Sequence, residues 1–177
     1  INNTTPKLMR EIRAAIGEYS NIIPVEQVYS RREINALIAN CDCYVSLHRS
    51  EGFGLGPAEA MSLGKACIIT NWSGNTDYMT STNSIGIDAR LIPLDQDYGP
   101  YKAGQIWADP DISQAASAMQ RLAADPEWAA KLGNNARQTM HTQFSPEYVG
   151  ILMRKRLAAI RKREDSTCNF ELNPYSS

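Results

Sequence analysis

The sequence predicts an α/β fold: a parallel sheet with flanking helices, followed by a wholly helical C-terminal segment. Three observations predict it. Short apolar runs alternate with segments of helical period, the pattern of a parallel sheet. Ala66–Thr70 is an unbroken apolar run between turn signals, as expected of a strand covered on both faces. A glycine-rich turn, Ser50-Glu51-Gly52-Phe53-Gly54-Leu55-Gly56, joins the strand-like residues 44–47 to a helix opened by Pro57. It therefore lies at the carboxyl end of a strand, where ligands bind in open α/β sheets.

The elements follow in order. Thr5-Pro6 reads as N-cap and first helical residue, with Met9, Ile12 and Ile16 on one face and Gly17 as the stop. Residues 21–25 are a short apolar strand candidate. Ser30-Arg31-Arg32-Glu33 is a capping box, opening a helix with Ile34, Leu37 and Ile38 inward. Residues 43–47 form the next strand. The turn then leads into a helix over residues 57–63, closed by Gly64, and on to the strand at Ala66–Thr70. Residues 71–78 are a polar loop, residues 85–92 hold another short strand, and residues 95–107 read as a long loop of the kind that often carries function. Asp109-Pro110, Asp125-Pro126 and Ser145-Pro146 each begin a helix. The first has Ile112, Ala115, Ala116, Met119 and Leu122 on its apolar face, the third Val149, Leu152, Met153, Leu157 and Ile160. Residues 164–177 have no periodicity and are expected to be a flexible tail, so that residues 1–163 form one domain.

Composition narrows the function classes. A chain of 177 residues with 43% apolar and 21% charged residues is an ordinary globular domain. A net charge of −1 gives no broad pull toward nucleic acid or acidic membranes. No apolar run spans a bilayer and no signal peptide is visible. Cys41, Cys43, Cys67 and Cys168 form no CxxC pair, so they read as reduced thiols and favour the cytoplasm. With only two histidines and no Cys/His cluster, no metal site is expected.

The chemistry concentrates in the turn. Gly52 and Gly54 permit dihedrals that a Cβ forbids and let a ligand approach the backbone. The N–H groups of residues 54–58 then point, with the helix dipole, at an anion, for which phosphate is the natural occupant. Glu59, in the first helical turn, has two oxygens for a vicinal diol such as a ribose, each charge-assisted bond being worth about 1.5–3 kcal/mol. Glu51 would orient sugar hydroxyls and stabilise positive charge at an anomeric carbon. The plainer alternatives are a capping role for Glu59 three residues after an N-cap Gly56 and a solvated loop acid at Glu51. Arg49 either steers phosphate or is solvated, and His48 is either a polar group near the sugar or a satisfied core histidine. Asn71, Ser73, Gly74 and Asn75 leave a strand at the ligand end of the sheet, as sugar contacts or as an ordinary turn. Trp72, Tyr98, Tyr101 and Trp107 either line a sugar or base pocket or plug the core.

Residues 42–78, DCYVSLHRSEGFGLGPAEAMSLGKACIITNWSGNTDY, resemble the signature of retaining glycosyltransferases of the GT-B fold, family four (group 1). The hallmark is a glutamate, seven residues and a second glutamate, met by Glu51 and Glu59. Trp107-Ala108-Asp109-Pro110 and Phe144-Ser145-Pro146 extend the likeness over residues 1–160. The resemblance implies a Rossmann-like domain, the C-terminal half of a GT-B fold. It implies Glu51 as the catalytic acid beside the donor sugar, and Gly52, Phe53, Gly54 and Leu55 as backbone donors to the sugar and diphosphate. It implies Glu59 on the ribose and, more loosely, Val28 near the nucleobase. The implied substrates are a nucleotide-diphosphate sugar and a glycan or lipid-linked acceptor, with no cofactor and no metal. The setting is polysaccharide biosynthesis in the cytoplasm, any membrane association coming from parts outside this chain.

The chain departs from that pattern at its start. The acceptor domain has no room, and the strand whose arginine and lysine neutralise the diphosphate is not found. The sheet is thus expected to be incomplete at its N-terminus, with an open edge that the missing N-terminal part of the same protein would fill, and the isolated fragment is expected to be inactive. Two further readings stay open: a non-catalytic nucleotide- or carbohydrate-binding module, and a dinucleotide-binding oxidoreductase domain, against which Pro57 stands in place of a third small residue.

Overall fold

The computed structural model describes residues 6–168. These fall into two units, residues up to Leu37 and residues from Ile38 onward. The first unit holds helix α1 (Pro6–Ile16) and most of α2 (Arg31–Ala39). The capping box forms as the sequence predicts: the Ser30 N–H and hydroxyl donate to Glu33 Oε2 at 2.8 and 2.7 Å, and the Glu33 N–H returns to Ser30 Oγ at 3.3 Å. These bonds hold the Glu33 carboxyl below the usual carboxylate range. The expected strand at residues 21–25 does not form. Pro24 lacks a donor, the described residues of the unit contain no strand to pair with, and Ile23 is 79% exposed. Of the expected inward residues of α2, Ile38 is buried while Ile34 and Leu37 are exposed.

The second unit carries the site. Its core is a parallel three-stranded sheet, β1 (Cys43–Ser46), β2 (Ala66–Thr70) and β3 (Ile85–Ile87), in that order across the sheet. Cys43 pairs with Ala66 and Ile68 with Ile85. β2 is buried along its whole length, which is why it reads as a continuous apolar run. Alternate residues feed two clusters. Cys67 and Ile69 pack against Ala60 and Met61 of α3 (Leu55–Ser62) and Ala136 and Met140 of α5 (Pro126–Gln143). Ala66 and Ile68 pack with Ile87 against Ala115 and Leu122 of α4 (Ile112–Ala124) and Leu132 of α5. Helices therefore cover both faces, as the parallel arrangement requires. β1 forms the free edge of this sheet among the described residues, with Val45 40% exposed.

Residues 85–110 differ from the expectation. The single strand expected at 85–92 is two, β3 and β4 (Ala89–Pro93), separated at Asp88. The long loop expected at 95–107 ends in β5 (Ile106–Pro110), which pairs antiparallel with β4, Ala89 opposite Pro110 and Pro93 opposite Ile106. Asp109-Pro110 therefore ends a strand rather than starting a helix. The cap of α4 is Asp111, whose Oδ1 accepts from the Gln114 N–H at 2.9 Å. Asp125 caps α5 in the same way through Trp128, at 2.9 Å.

The last helix, α6 (Pro146–Cys168), starts where expected and runs past residue 163. The tail expectation fails for residues 164–168, which continue the helix; residues 169–177 lie outside the described residues. Its apolar stripe is exposed, from Ile160 at 38% to Met153 at 63%. No helix among the described residues is long and apolar enough to cross a membrane.

The core thiols make a pH prediction. Burial is the main cause that pushes Cys67 up to about 12 and Cys43 up to about 11. An unfolded cysteine titrates near about 8.5. Both folded values lie above the unfolded one, so their contribution is complete below that pH and is lost as pH rises toward the folded values. The Tyr78 and Tyr44 phenols are raised chiefly by burial as well and act in the same direction. The urea midpoint should therefore fall between about pH 9 and about pH 11, and Cys67→Ala should shallow that fall. Equal slopes in both proteins would refute the assignment to Cys67.

Candidate functional site

The turn between β1 and α3 differs in one respect from its sequence reading. The helix begins at Leu55, two residues before Pro57, with Gly54 as N-cap in the left-handed region at φ 80° and ψ 59°. Only glycine adopts this conformation without penalty. It aims the N–H groups of Leu55 and Gly56 out of the helix end, where no intrahelical carbonyl precedes them. The Ala58 N–H is already bonded to Gly54 O at 3.0 Å, and Pro57 has none to offer. Gly52, by contrast, is not at positive φ, and a Cβ there would meet open space. Its backbone matters through a neighbour instead. A Cβ on Gly74 would overlap the Gly52 carbonyl oxygen, with the carbonyl carbon at 2.8 Å. Two loops, one after β1 and one after β2, are thus pressed backbone to backbone.

Ser73 fastens them. Its hydroxyl donates to Glu51 O and accepts from the Glu51 N–H at 3.4 Å. Ser73 is the one non-glycine residue at positive φ among the described residues, at 81°, a conformation that persists only where surroundings enforce it. The carbonyl of Ser73 accepts from the Thr76 N–H at 3.1 Å and its hydroxyl at 2.7 Å, closing the short 3₁₀ turn Gly74–Asp77. His48 is a second brace. Its Nε2 lies 2.9 Å from Trp72 O, which can only accept, so Nε2 carries the hydrogen. Nδ1 then accepts from Ser46 Oγ at 3.3 Å. Both ring nitrogens are held by the chain, which favours the satisfied-histidine alternative.

An aromatic cluster supports the turn from below. Phe53 stacks on Tyr78 with ring centroids 5.2 Å apart, and both meet Phe144 at 6.1 and 5.9 Å. Tyr78 OH donates to Gly54 O at 2.8 Å. The carboxylates of Glu51 and Glu59 both bear on Tyr44 of β1. After burial and Cys67, both contribute to raising the Tyr44 phenol, so both lie within electrostatic reach of one ring. Glu59 is the fifth residue of α3, in its second turn. It is therefore too far along to cap, and the capping alternative built on Gly56 falls.

The remaining candidates separate. Arg49 pairs with Asp109 at 3.0 Å, and Arg49 O accepts from the Ala108 N–H at 3.0 Å. Its guanidinium is 47% exposed and ion-paired at once: it ties the loop to β5. Asn71 is exposed, with its N–H on Ile87 O at 2.8 Å. Asn75 takes the turn alternative of its sequence reading. It is fully buried, and Nδ2 donates to Thr70 O at 2.8 Å, so the side chain holds the loop. Val28 is 81% exposed and belongs to the first unit. Lys65 lines a cavity of about 710 Å³ with Cys41, Cys43 and Ala66, at the amino ends of the strands and so away from the turn. Sequence reasoning missed Tyr44, Tyr78, Phe144 and Asp109 as partners of the site. Only Tyr44 carried a signal, alternating with Val45 on a strand that ends at the turn.

These features meet a family already described. The family model for group 1 glycosyl transferases matches residues 18–139, more than half of the chain. No curated protein is significantly similar in sequence. Among solved structures, sucrose-phosphate synthase from Thermosynechococcus elongatus aligns with a TM-score of 0.61 at 24% identity, over 85% of this chain and 34% of that one. The C-terminal domain of a group 1 family glycosyl transferase from Francisella tularensis aligns with a TM-score of 0.61 at 20% identity, over 80% of this chain and 66% of that one. The chain thus spans about a third of the first structure and 66% of the second, and the likeness shows the fold: the Rossmann-like C-terminal domain of GT-B glycosyltransferases. By the match along its own sequence, the chain belongs to the group 1 glycosyl transferases.

Proposed function

We propose that this chain carries the donor site of a retaining glycosyltransferase, moving a sugar from a nucleotide-diphosphate donor to a hydroxyl of a glycan or lipid-linked acceptor. One observation supports the reading: two carboxylates, Glu51 just before α3 and Glu59 within it, both act on the Tyr44 phenol of β1. The Leu55 and Gly56 N–H groups and the helix dipole receive the diphosphate. Glu59 accepts from the ribose hydroxyls. Glu51, on the strand side of the turn, faces the anomeric carbon and stabilises its positive charge as the bond to phosphate breaks.

In this reaction the C1–O bond to the diphosphate breaks and a bond from C1 to the acceptor oxygen forms on the same face. The acceptor proton passes to the leaving phosphate, and a nucleoside diphosphate departs. No cofactor is consumed and no metal is required in this scheme; the nucleotide sugar is a substrate. A cytoplasmic setting and a role in polysaccharide synthesis belong to the same reading, as does completion of the free β1 edge by an N-terminal part of the same protein.

Calorimetric titration of the intact transferase with UDP, GDP, ADP and NAD tests the donor site. One nucleoside diphosphate should bind and NAD should not. Glu59→Ala should weaken that binding by about 10- to 100-fold, the loss of one charge-assisted bond. Binding of NAD alone, or unchanged affinity in Glu59→Ala, would refute the proposal.

A further inference from the structure

Ser73 occupies backbone that belongs to glycine. Its φ of 81° and ψ of −162° fall in a region essentially closed to residues with a Cβ. Glycine would adopt it without strain. Position 73 is half-buried and its side chain belongs to neither hydrophobic cluster, so packing does not call for a Cβ there. What serine has and glycine lacks is a hydroxyl.

The strained conformation is held from both sides. Before Ser73, the Trp72 N–H donates to Thr70 O at 2.8 Å, and His48 Nε2 holds Trp72 O at 2.9 Å. After it, Gly74 presses on the Gly52 carbonyl, and Asn75 is fastened to Thr70 O. The carbonyl of Ser73 itself is bonded to the Thr76 N–H and hydroxyl. Strain of this kind survives only where the surroundings over-determine it, and it clusters at functional sites.

The hydroxyl reaches Glu51, donating to its carbonyl and accepting from its N–H. Glu51 lies in irregular chain between β1 and α3. Behind it, Arg49 O is bonded to the Ala108 N–H. Ahead of it, Gly54 O is bonded to Tyr78 OH and to the Ala58 N–H. Between these anchors, the backbone bonds of Glu51 run to one side-chain atom, Ser73 Oγ, 22 residues on. Removing that atom leaves the acid on a span bonded at its ends and held by contact alone in between. We propose that Ser73 is the positioning residue for Glu51: its backbone stays strained so that its hydroxyl can fix the acid against the anomeric carbon. The inference deepens the donor-site reading and rests on it for the role of Glu51.

The experiment compares Ser73→Gly and Ser73→Ala in the intact transferase, each alone and combined with Glu51→Gln. UDP-glucose, GDP-mannose and ADP-glucose serve as donors, with water as the acceptor and release of the nucleoside diphosphate as the readout. The C1–O bond to the diphosphate breaks, water supplies the new oxygen on C1, and its proton passes to the leaving phosphate. Both Ser73 variants lack the hydroxyl, so both should lower kcat by about 10- to 100-fold, the scale for misplacing a reacting group by about 1 Å. The donor KM should change by less than about threefold, because the diphosphate rests on the Leu55 and Gly56 N–H groups instead. Ser73→Gly relieves the strain that Ser73→Ala keeps, so its urea midpoint should be the higher of the two. In the Glu51→Gln background, Ser73→Gly should lower kcat by less than about threefold, since a residue that acts through Glu51 has no charge left to place. A merely structural serine would let kcat follow the midpoint, with Ser73→Gly the more active variant. Parent kcat in Ser73→Gly overturns the inference. An equal fold-loss in both backgrounds overturns it as well, since Ser73 would then act independently of Glu51. Parent activity in Glu51→Gln alone refutes the donor-site role of Glu51 and this inference with it, a failure distinct from the other two.

Discussion

Glu51→Gln should lower kcat for glycosyl transfer by roughly 10²- to 10³-fold, the scale for removing one group that stabilises transition-state charge, while the donor KM changes little. The substitution is nearly isosteric, so the backbone bonds that Glu51 makes with Ser73 remain available. What disappears is a negative charge at the point where positive charge develops. The split between kcat and KM is the informative part. A residue that bound donor and transition state equally would raise KM and leave kcat alone. Steady-state kinetics of the intact transferase with its nucleotide sugar provides the measurement. A large rise in KM with unchanged kcat would move Glu51 from charge stabilisation to ground-state binding.

Gly74→Ala should destabilise the fold by at least the roughly 1–3 kcal/mol typical of overpacking, although position 74 is half-buried and carries no chemistry. The added methyl would overlap the Gly52 carbonyl oxygen. The obstacle is backbone on a turn that Ser73, Tyr78 and Gly54 already fix, so it cannot rotate aside as a side chain would. Relief requires the two loops to part, which also misplaces Glu51. Gly52→Ala is the control: its Cβ meets open space and its φ is ordinary, so its stability should stay within about 0.5 kcal/mol of the parent. Urea midpoints at constant m compare the three proteins. Equal midpoints for both variants would show that the loops are not in contact in solution.

Gly52 and Gly74 illustrate how far a sequence can be read. Gly52 sits in the most recognisable run of the chain and Gly74 in a polar loop, and nothing in their residue patterns ranks the second above the first. The requirement at position 74 comes from an atom 22 residues earlier, which no local pattern encodes. The same holds for Arg49, which ion-pairs with Asp109 across the hairpin, and for Tyr78, whose hydroxyl reaches back to Gly54. Asn75 shows the mirror case: its polarity suits either a ligand contact or a turn, and its burial makes it a brace of the turn.

Other parts were legible because their causes are local. Ser30 and Glu33 form their capping box within one turn. Asp125-Pro126 and Ser145-Pro146 start helices at the expected residues. The buried strand Ala66–Thr70 has the predicted bounds because continuous burial leaves a continuous apolar run. Where a strand depended on finding a partner, the sequence misled. Residues 21–25 are apolar and form none, whereas residues 106–110, which read as a loop end and a helix start, pair with residues 89–93.

By itself the sequence determined the kind of fold, the order of its central strand–turn–helix unit, and the two acids that frame the turn, since each follows from residue type and short-range spacing. Only the tertiary structure decided that both acids act on Tyr44, that helix α3 opens at Leu55 rather than Pro57, and that an aromatic hairpin is tied to the residue two before Glu51. Those outcomes depend on contacts between segments remote in the chain, whose geometry is set by packing and hydrogen bonding after the chain has closed on itself.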